Sequence, residues 1–234
     1  ISINHLGDWG TQFGKLIVAY KKWGNQKELD KDSVKYLLKL YVKFHEAAEK
    51  DPDIETEARM WFSKLENNDK EALKLWKQFK ELSLKEFKKL YARLDVKFDS
   101  FEGESFYNDK LDQAIKMLEQ KKLLEEDQGA KVVKFKDITP ALIQKSDESS
   151  LYITRDIAAF AYRSKNYKPE RLLYVVGSEQ SLHFKQLFRI MQLLGYKEEA
   201  AHIPFGLFFL PEGKMSTRQG RIIFLEELLD EVVA

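Results

Sequence analysis

The sequence predicts an α/β fold, part of a parallel-sheet core interrupted by a mainly helical block. Three observations carry that expectation. Residues 172–194, LLYVVGSEQSLHFKQLFRIMQLL, pass from five apolar, mostly β-favouring residues through Gly177 into helix-spaced Leu182, Leu187, Ile190 and Leu194. Across residues 25–122 prolines nearly vanish, Lys and Glu dominate, and apolar residues recur every three or four positions. A second apolar run, IPFGLFFL at 203–210, follows where the next buried strand would stand.

Composition bounds the function. With 234 residues, 44% of them hydrophobic, the chain can bury a sizeable core in one large domain or two small ones. Lys+Arg 39 against Asp+Glu 38 leave a net charge of +1, so no global field marks a nucleic-acid partner, and only a local basic face is available for one. Cys 0 excludes disulfides and thiolate metal sites and fits a reducing compartment. No apolar run reaches the roughly 18–20 residues of a membrane span. The expectation is a cytoplasmic protein with no membrane partner.

Taken in order, Ile1 and Ile3 alternate with Ser2 and Asn4 like the end of a strand. Gly7, Gly10 and Gly14 punctuate a turn-rich passage around Asp8, Trp9 and Gln12, without phosphate-loop spacing. His5 reads as a hydrogen-bonded loop residue, because no second His or carboxylate pair stands at metal-ligand spacing. A helical pattern starts at 16–20.

The helical block follows. Val34, Leu37, Leu38, Tyr41, Val42 and His45 form one stripe, and Asp51-Pro52 ends it. Ala58, Trp61, Phe62 and Leu65 form the next, and Asn67-Asn68-Asp69 separates it from Leu73, Trp76, Phe79 and Leu82. Ser83 and Glu86 read as a capping box for a further helix, and Asn108 or Asp109 as the cap of the last. Aromatic stripes at this spacing are core, and the lysines are solvated faces, some of them able to meet RNA phosphates. Residues 130–135 and 141–144 are short strand candidates, and 145–150 a polar turn.

LYITRDIAAFAYR then sets a strand end, 151–153, against a helix for which Thr154 is the expected cap. Asp156 falls in the first helical turn, where it can simply complement the helix dipole. A desolvated carboxylate beside Tyr152 and Gln180 is also what a guanidinium ligand needs, since its fork binds carboxylate through two parallel charge-assisted bonds. At 177–183, Gly177 and the polar Ser178, Glu179, Gln180 and His183 stand at the carboxyl end of a strand, the edge where α/β sheets bind ligands. Lys214-Met215-Ser216-Thr217-Arg218-Gln219-Gly220 is a cationic, serine-containing loop suited to a triphosphate. Residues 222–224 and a short helix through Val233 complete the chain.

In order, NHLGDWGTQFG, LYITRDIAA, YVVGSEQSLHFKQ, HIPFG and KMSTRQG resemble segments of the arginyl-tRNA synthetase catalytic domain, a class I aminoacyl-tRNA synthetase. The resemblance implies a partial Rossmann-like core with a helical insertion: 1–24 the end of the first half, 25–145 the insertion, 146–234 the second half. It implies ATP-dependent activation of arginine and transfer to tRNA(Arg), with ATP as substrate together with Mg2+, no protein-bound metal, and a monomer. Tyr152, Asp156 and Gln180 would hold arginine. Gly177, Glu179, His183, Ile203, Phe205 and Met215 would line the ATP side, and His5, Gly7, Asp8 and Trp9 the pocket floor. Lys214, Ser216 and Arg218 would act catalytically on the phosphates. Thr217 stands where the general class I loop has its second lysine, and the HIGH segment is not in the chain, so the chain by itself is expected to be inactive. An arginine- or nucleotide-binding module without ligase activity is the alternative.

Overall fold

The computed structural model describes residues 1–144, 152–207, 209–210, 213–215, 218, 220 and 222–233. The expected polar turn at 145–150 and Leu151 lie outside them. The chain forms two compact units, one of 1–103 with 208–234 and one of 104–207.

The first unit is helical: α1 Thr11–Trp23, α2 Gln26–Lys31, α3 Ser33–Ala48, α4 Asp53–Glu66, α5 Lys70–Arg93 and the terminal helix Leu225–Val233. Capping residues fix three of the starts. Asn25 accepts from the backbone N–H of Lys27 and Glu28, Asp32 from Lys35, and Asp69 from Glu71 and Ala72. Apolar faces of α1, α3, α4 and α5 meet in one core containing Phe13, Ile17, Leu40, Phe44, Trp61 and Phe79. Burying each such side chain contributes about 1.5–3 kcal/mol. Gly14 lies inside α1, not in a turn as the sequence suggested. A Cβ there would stand 2.1 Å from the Ala58 carbonyl oxygen, so only glycine lets α1 approach α4 this closely.

The capping box at Ser83 does not form. Helix α5 runs unbroken for 24 residues, because the neighbouring Leu, Lys and Glu are strong helix formers and nothing there ends the hydrogen-bond ladder. Ile3 does find a strand-like partner, a parallel bridge to Ser100. Two-residue strands Phe209–Leu210 and Gly213–Lys214 pair antiparallel. Residues 222–224 form no strand. The terminal helix is tied back by Lys35 to Glu227 at 2.9 Å and by Arg93 to Asp230 at 2.6 Å.

The second unit opens with a 3-10 segment, Glu104–Lys110, then α6 Leu111–Gln120. Neither Asn108 nor Asp109 caps α6: both lie within the 3-10 segment, and Lys110 stands at the cap position without a side-chain bond. Strands β1 Glu125–Asp127, β2 Ala130–Val133 and β3 Ala141–Gln144 make an antiparallel sheet in that order. Acidic β1 carries no apolar signal and was not foreseen. Its hairpin turns on Gln128 (φ 49°) and Gly129 (φ 77°), the two positive angles that a tight two-residue loop demands.

Helix α7 Tyr152–Tyr167 precedes β4 Arg171–Gly177; α8 Ser181–Leu194 follows it and leads to β5 Glu199–Phe205. β4 and β5 pair in parallel from Arg171↔Glu199 to Gly177↔Phe205, the expected βαβ crossover. β5 thus begins four residues before the predicted 203–210 strand and ends at Phe205, its register matched to the full length of β4. Gly195 closes α8 in the left-handed conformation (φ 99°). Both strands were expected to be buried, but only one face is. Tyr174 joins Phe184, Leu187 and Ile157 in the core. Leu173 (58% exposed), Val175 (67%), Ile203 (44%) and Phe205 (54%) are open on the other.

Tyr152 and Thr154 also depart from expectation. The helix has already begun at Tyr152, so Thr154 is not its cap. Fully buried Thr154 instead donates its hydroxyl proton to the Ile143 carbonyl, fastening α7 to β3.

Candidate active site

Within the second unit, the carboxyl edge of β4 gathers the ends of two helices. α8 leaves from this edge, and α7, running back into β4, begins there, so both helices turn the positive ends of their dipoles to the same side. Tyr152 and Asp156, four apart on α7, share one helical stripe. Gln180 and His183, three apart at the start of α8, share another. The structure joins the stripes directly: Asp156 Oδ2 lies 2.6 Å from His183 Nε2, with the side chains 18% and 20% exposed.

Behind the carboxylate is a layer that sequence reasoning missed. The buried Arg163 guanidinium, two turns along α7 from Asp156, lies 5.6 Å from the Tyr107 ring centroid and 5.7 Å from that of Tyr174. Burial pushes the Tyr174 hydroxyl up to about 12; the Arg163 charge opposes the shift and that of Asp156 adds to it. Tyr174 is therefore a neutral phenol at any ordinary pH. The seven-residue spacing from Asp156 to Arg163, one heptad along an inward helix face, was the signal available for it. The Arg155 of the TRD triplet also turns inward, 3.8 Å from Glu104.

The remaining candidates in this unit are more open. Tyr152 is 61% exposed at the first residue of α7. Glu179 and Gln180 are exposed on the short 3-10 turn Ser178–Gln180, and Ile203 and Phe205 end the open face of β5. Gly177 has φ −55° and ψ 146°, a conformation any residue adopts. A Cβ there would meet only Phe205 Cε2, at an ordinary 3.8 Å. Neither strain nor crowding within this unit requires the glycine, which contrasts with Gly14. A hollow of about 420 Å³ lined by Met117, Lys121, Leu194 and Tyr196 opens at the other end of α8, away from Asp156.

The other candidates belong to the first unit. His5 Nδ1–H donates to the Glu102 carbonyl at 2.9 Å, and Gly7 is exposed. Asp8, 5% exposed, pairs with Lys80 of α5 at 2.6 Å, and its carbonyl accepts the Trp76 indole N–H at 2.7 Å. Trp9 packs edge-on against Trp76 at 5.3 Å. The NHLGDWG loop is thus bolted to α5. Of the loop candidates, Met215 is half-buried and Arg218 exposed, while Lys214 belongs to a two-residue strand. Ser216 lies outside the described residues. The Arg218 charge reaches His45 of α3, whose pKa is lowered first by burial, then by Lys15 and Arg218. Among the described residues no group of three or more His, Asp or Glu gathers as a metal site.

The carboxyl edge of a parallel strand pair, with two helices starting beside it, is the edge at which α/β domains receive ligands. The family model described as tRNA synthetases class I (R), catalytic domain, matches residues 1–234. The chain belongs to that family. It is 55% identical over its whole length to an arginine–tRNA ligase of Enterococcus faecalis and 52% identical to one of Clostridioides difficile. In both cases it spans 42% of the relative, about two fifths of its length. Among solved structures, the arginyl-tRNA synthetase of Plasmodium falciparum matches 88% of the chain, at 36% of its own, with a TM-score of 0.72 and 31% identity. The Thermus thermophilus arginyl-tRNA synthetase matches 98%, at 45% of its own, with a TM-score of 0.74. At 20% identity that last likeness speaks for the fold alone. No described helix is long and apolar enough to cross a membrane.

Proposed function

We propose that the chain is the arginine-activating part of an arginine–tRNA ligase. The carboxylate of arginine attacks the α-phosphorus of ATP in line, the bond to the β-phosphate oxygen breaks, and pyrophosphate leaves. A terminal ribose hydroxyl of tRNA(Arg) then takes the arginyl group from the adenylate, releasing AMP. The observation that carries this reading is Asp156, a largely covered carboxylate near the starts of two helices, on one stripe with Tyr152 and bonded to His183 of the second helix. Such a carboxylate selects a guanidinium, while the N–H ends of the helices favour a negatively charged group.

Positioning and charge stabilisation supply most of the rate in such a displacement. Tyr152, Asp156 and Gln180 take the arginine side chain. Gly177, Glu179, Ile203, Phe205 and Met215 take the nucleoside side of ATP, and Lys214, Ser216 and Arg218 the phosphates. His5, Gly7, Asp8 and Trp9 are assigned to the pocket floor. ATP enters as its magnesium complex, the ion travelling on the phosphates. The division into 1–24, 25–145 and 146–234 describes the order of the family's segments. A monomer in the cytoplasm completes the proposal.

The test is arginine-dependent ATP–pyrophosphate exchange, run with tRNA(Arg) present, by the full-length protein containing this chain. Asp156→Asn keeps the shape and removes the charge, and exchange should fall by at least about two orders of magnitude with ATP binding little changed. An Asn variant with normal arginine turnover would remove Asp156 from the site, and no exchange by the unaltered protein would remove the ligase reading.

A further inference from the structure

Asp156 and His183 stand on different helices, 27 residues apart, yet meet at 2.6 Å. An ionised carboxylate only accepts, so the imidazole Nε2 carries the proton and donates it. The ring is itself held. It stands edge-on to Phe184 at 5.3 Å and 83°, and Phe184 is a core residue stacked on His202 at 4.6 Å and 29°. His202 Nε2–H in turn donates to the Val176 carbonyl at 2.9 Å, which closes the series on β4. Rings fixed to the packed face of the sheet thus lead to one oxygen of the Asp156 carboxylate.

A guanidinium is planar and takes a carboxylate best through two parallel bonds in one plane. A carboxylate turning about its terminal torsion presents that plane in a range of orientations, because such torsions are broad and soft. A ring bonded to Oδ2 narrows the range. We infer that His183 is a positioning residue for guanidinium recognition: through Asp156 it sets the plane in which the arginine side chain is received. The inference rests on the arginine site proposed above, and it moves His183 from the ATP side, where the sequence resemblance put it, to the amino-acid side.

The experiment uses the full-length protein with His183→Leu, His183→Gln, Asp156→Asn and the double variant His183→Leu/Asp156→Asn. Leucine keeps apolar contact with Phe184 but has no donor, whereas glutamine carries an N–H of similar reach. The Leu variant should raise the KM for arginine about tenfold and leave the KM for ATP within about twofold, since one charge-assisted bond is lost. The Gln variant should recover much of that loss. The double variant should be no worse than Asp156→Asn alone, the signature of two residues acting as a unit. A rise in the ATP KM with arginine unchanged, a Gln variant no better than Leu, or additive losses would each overturn the inference. If the Leu variant does not fold, Gln against the shorter His183→Asn makes the same comparison. Calorimetric binding of arginine to the same proteins separates the two readings. Binding that depends on both residues without exchange would sink the ligase reading and keep the pair. Exchange indifferent to His183 would do the reverse, and no arginine binding by the unaltered protein would remove both.

Discussion

Gly177 and His45 show how much a single residue's surroundings decide. Since Gly177 has an ordinary backbone conformation and room for a Cβ, Gly177→Ala should leave the melting temperature within about 2 °C, a shift worth well under 1 kcal/mol. If ATP packs against this backbone, the same change should raise its KM; unchanged ATP kinetics would detach Gly177 from the nucleotide. His45 gives a pH dependence. Its folded pKa is lowered, chiefly by burial, so below about 6.5 the unfolded chain binds the proton more readily than the folded one. Stability contributed by the neutral ring is therefore complete above that pH and is lost as pH falls through it toward the folded value. Urea midpoints between pH 7.5 and 5 should show the loss, and His45→Phe should flatten the profile. The motif residues were readable because polar side chains interrupt apolar runs at Asp156, Gln180 and His183. Arg163 and Thr154 were not, because a buried Arg beneath two phenols and a Thr bonded to a neighbouring strand look in sequence like ordinary helical polar positions.

Elements were legible where their ends carry their own chemistry. The Asn67-Asn68-Asp69 break marked a helix start, and the β4–Gly177–α8 unit formed as its pattern required. They were misread where a local signal was outvoted by neighbours, as at Ser83. Mid-helix serine is a poorer helix former than alanine, so Ser83→Ala should stabilise the chain by roughly 0.3–0.5 kcal/mol. A true N-cap serine would instead lose about 1 kcal/mol on the same change, so the sign of the shift in a denaturant titration decides between them. Gly14→Ala should go the other way. Its Cβ meets a backbone carbonyl that cannot swing aside, and overpacking of about 1–3 kcal/mol outweighs the helix-propensity gain of about 1 kcal/mol. The extent of β5 was misjudged because strand length is set by pairing with β4, and a single chain segment does not display its partner.

At the scale of the molecule, each compact unit has its own core, one built around Phe44 and Phe79, the other around Leu187 and Ile157. Unfolding should therefore depart from a single two-state transition. Phe44→Ala, worth about 3–5 kcal/mol, should lower the transition of the first unit, and Leu187→Ala, worth about 2–5 kcal/mol, that of the second. Scanning calorimetry in which both substitutions shift one common transition equally would show the two cores to be thermodynamically one. The α/β class was readable from periodicity, but the grouping of α1 with the helical block was not. Its close seat on α4 depends on Gly14, whose role becomes visible only once Ala58 is beside it.

The packing of the first unit also has a spectroscopic consequence. All four tryptophans of the sequence, Trp9, Trp23, Trp61 and Trp76, lie in residues 1–103, and none in 104–207. Trp9 and Trp61 are buried in its core, and Trp61 sits beneath the ammonium groups of Lys21 and Lys64, at 4.8 and 4.3 Å. Indole emission therefore reports on one unit only. A red shift of that emission on heating would time the loss of the helical core and be silent about β4, α7 and α8, whose aromatic signal comes from tyrosines such as Tyr174. A single tryptophan introduced at Phe188, which packs at the edge of the second core, would supply the missing colour, and the two emission curves could then be read side by side.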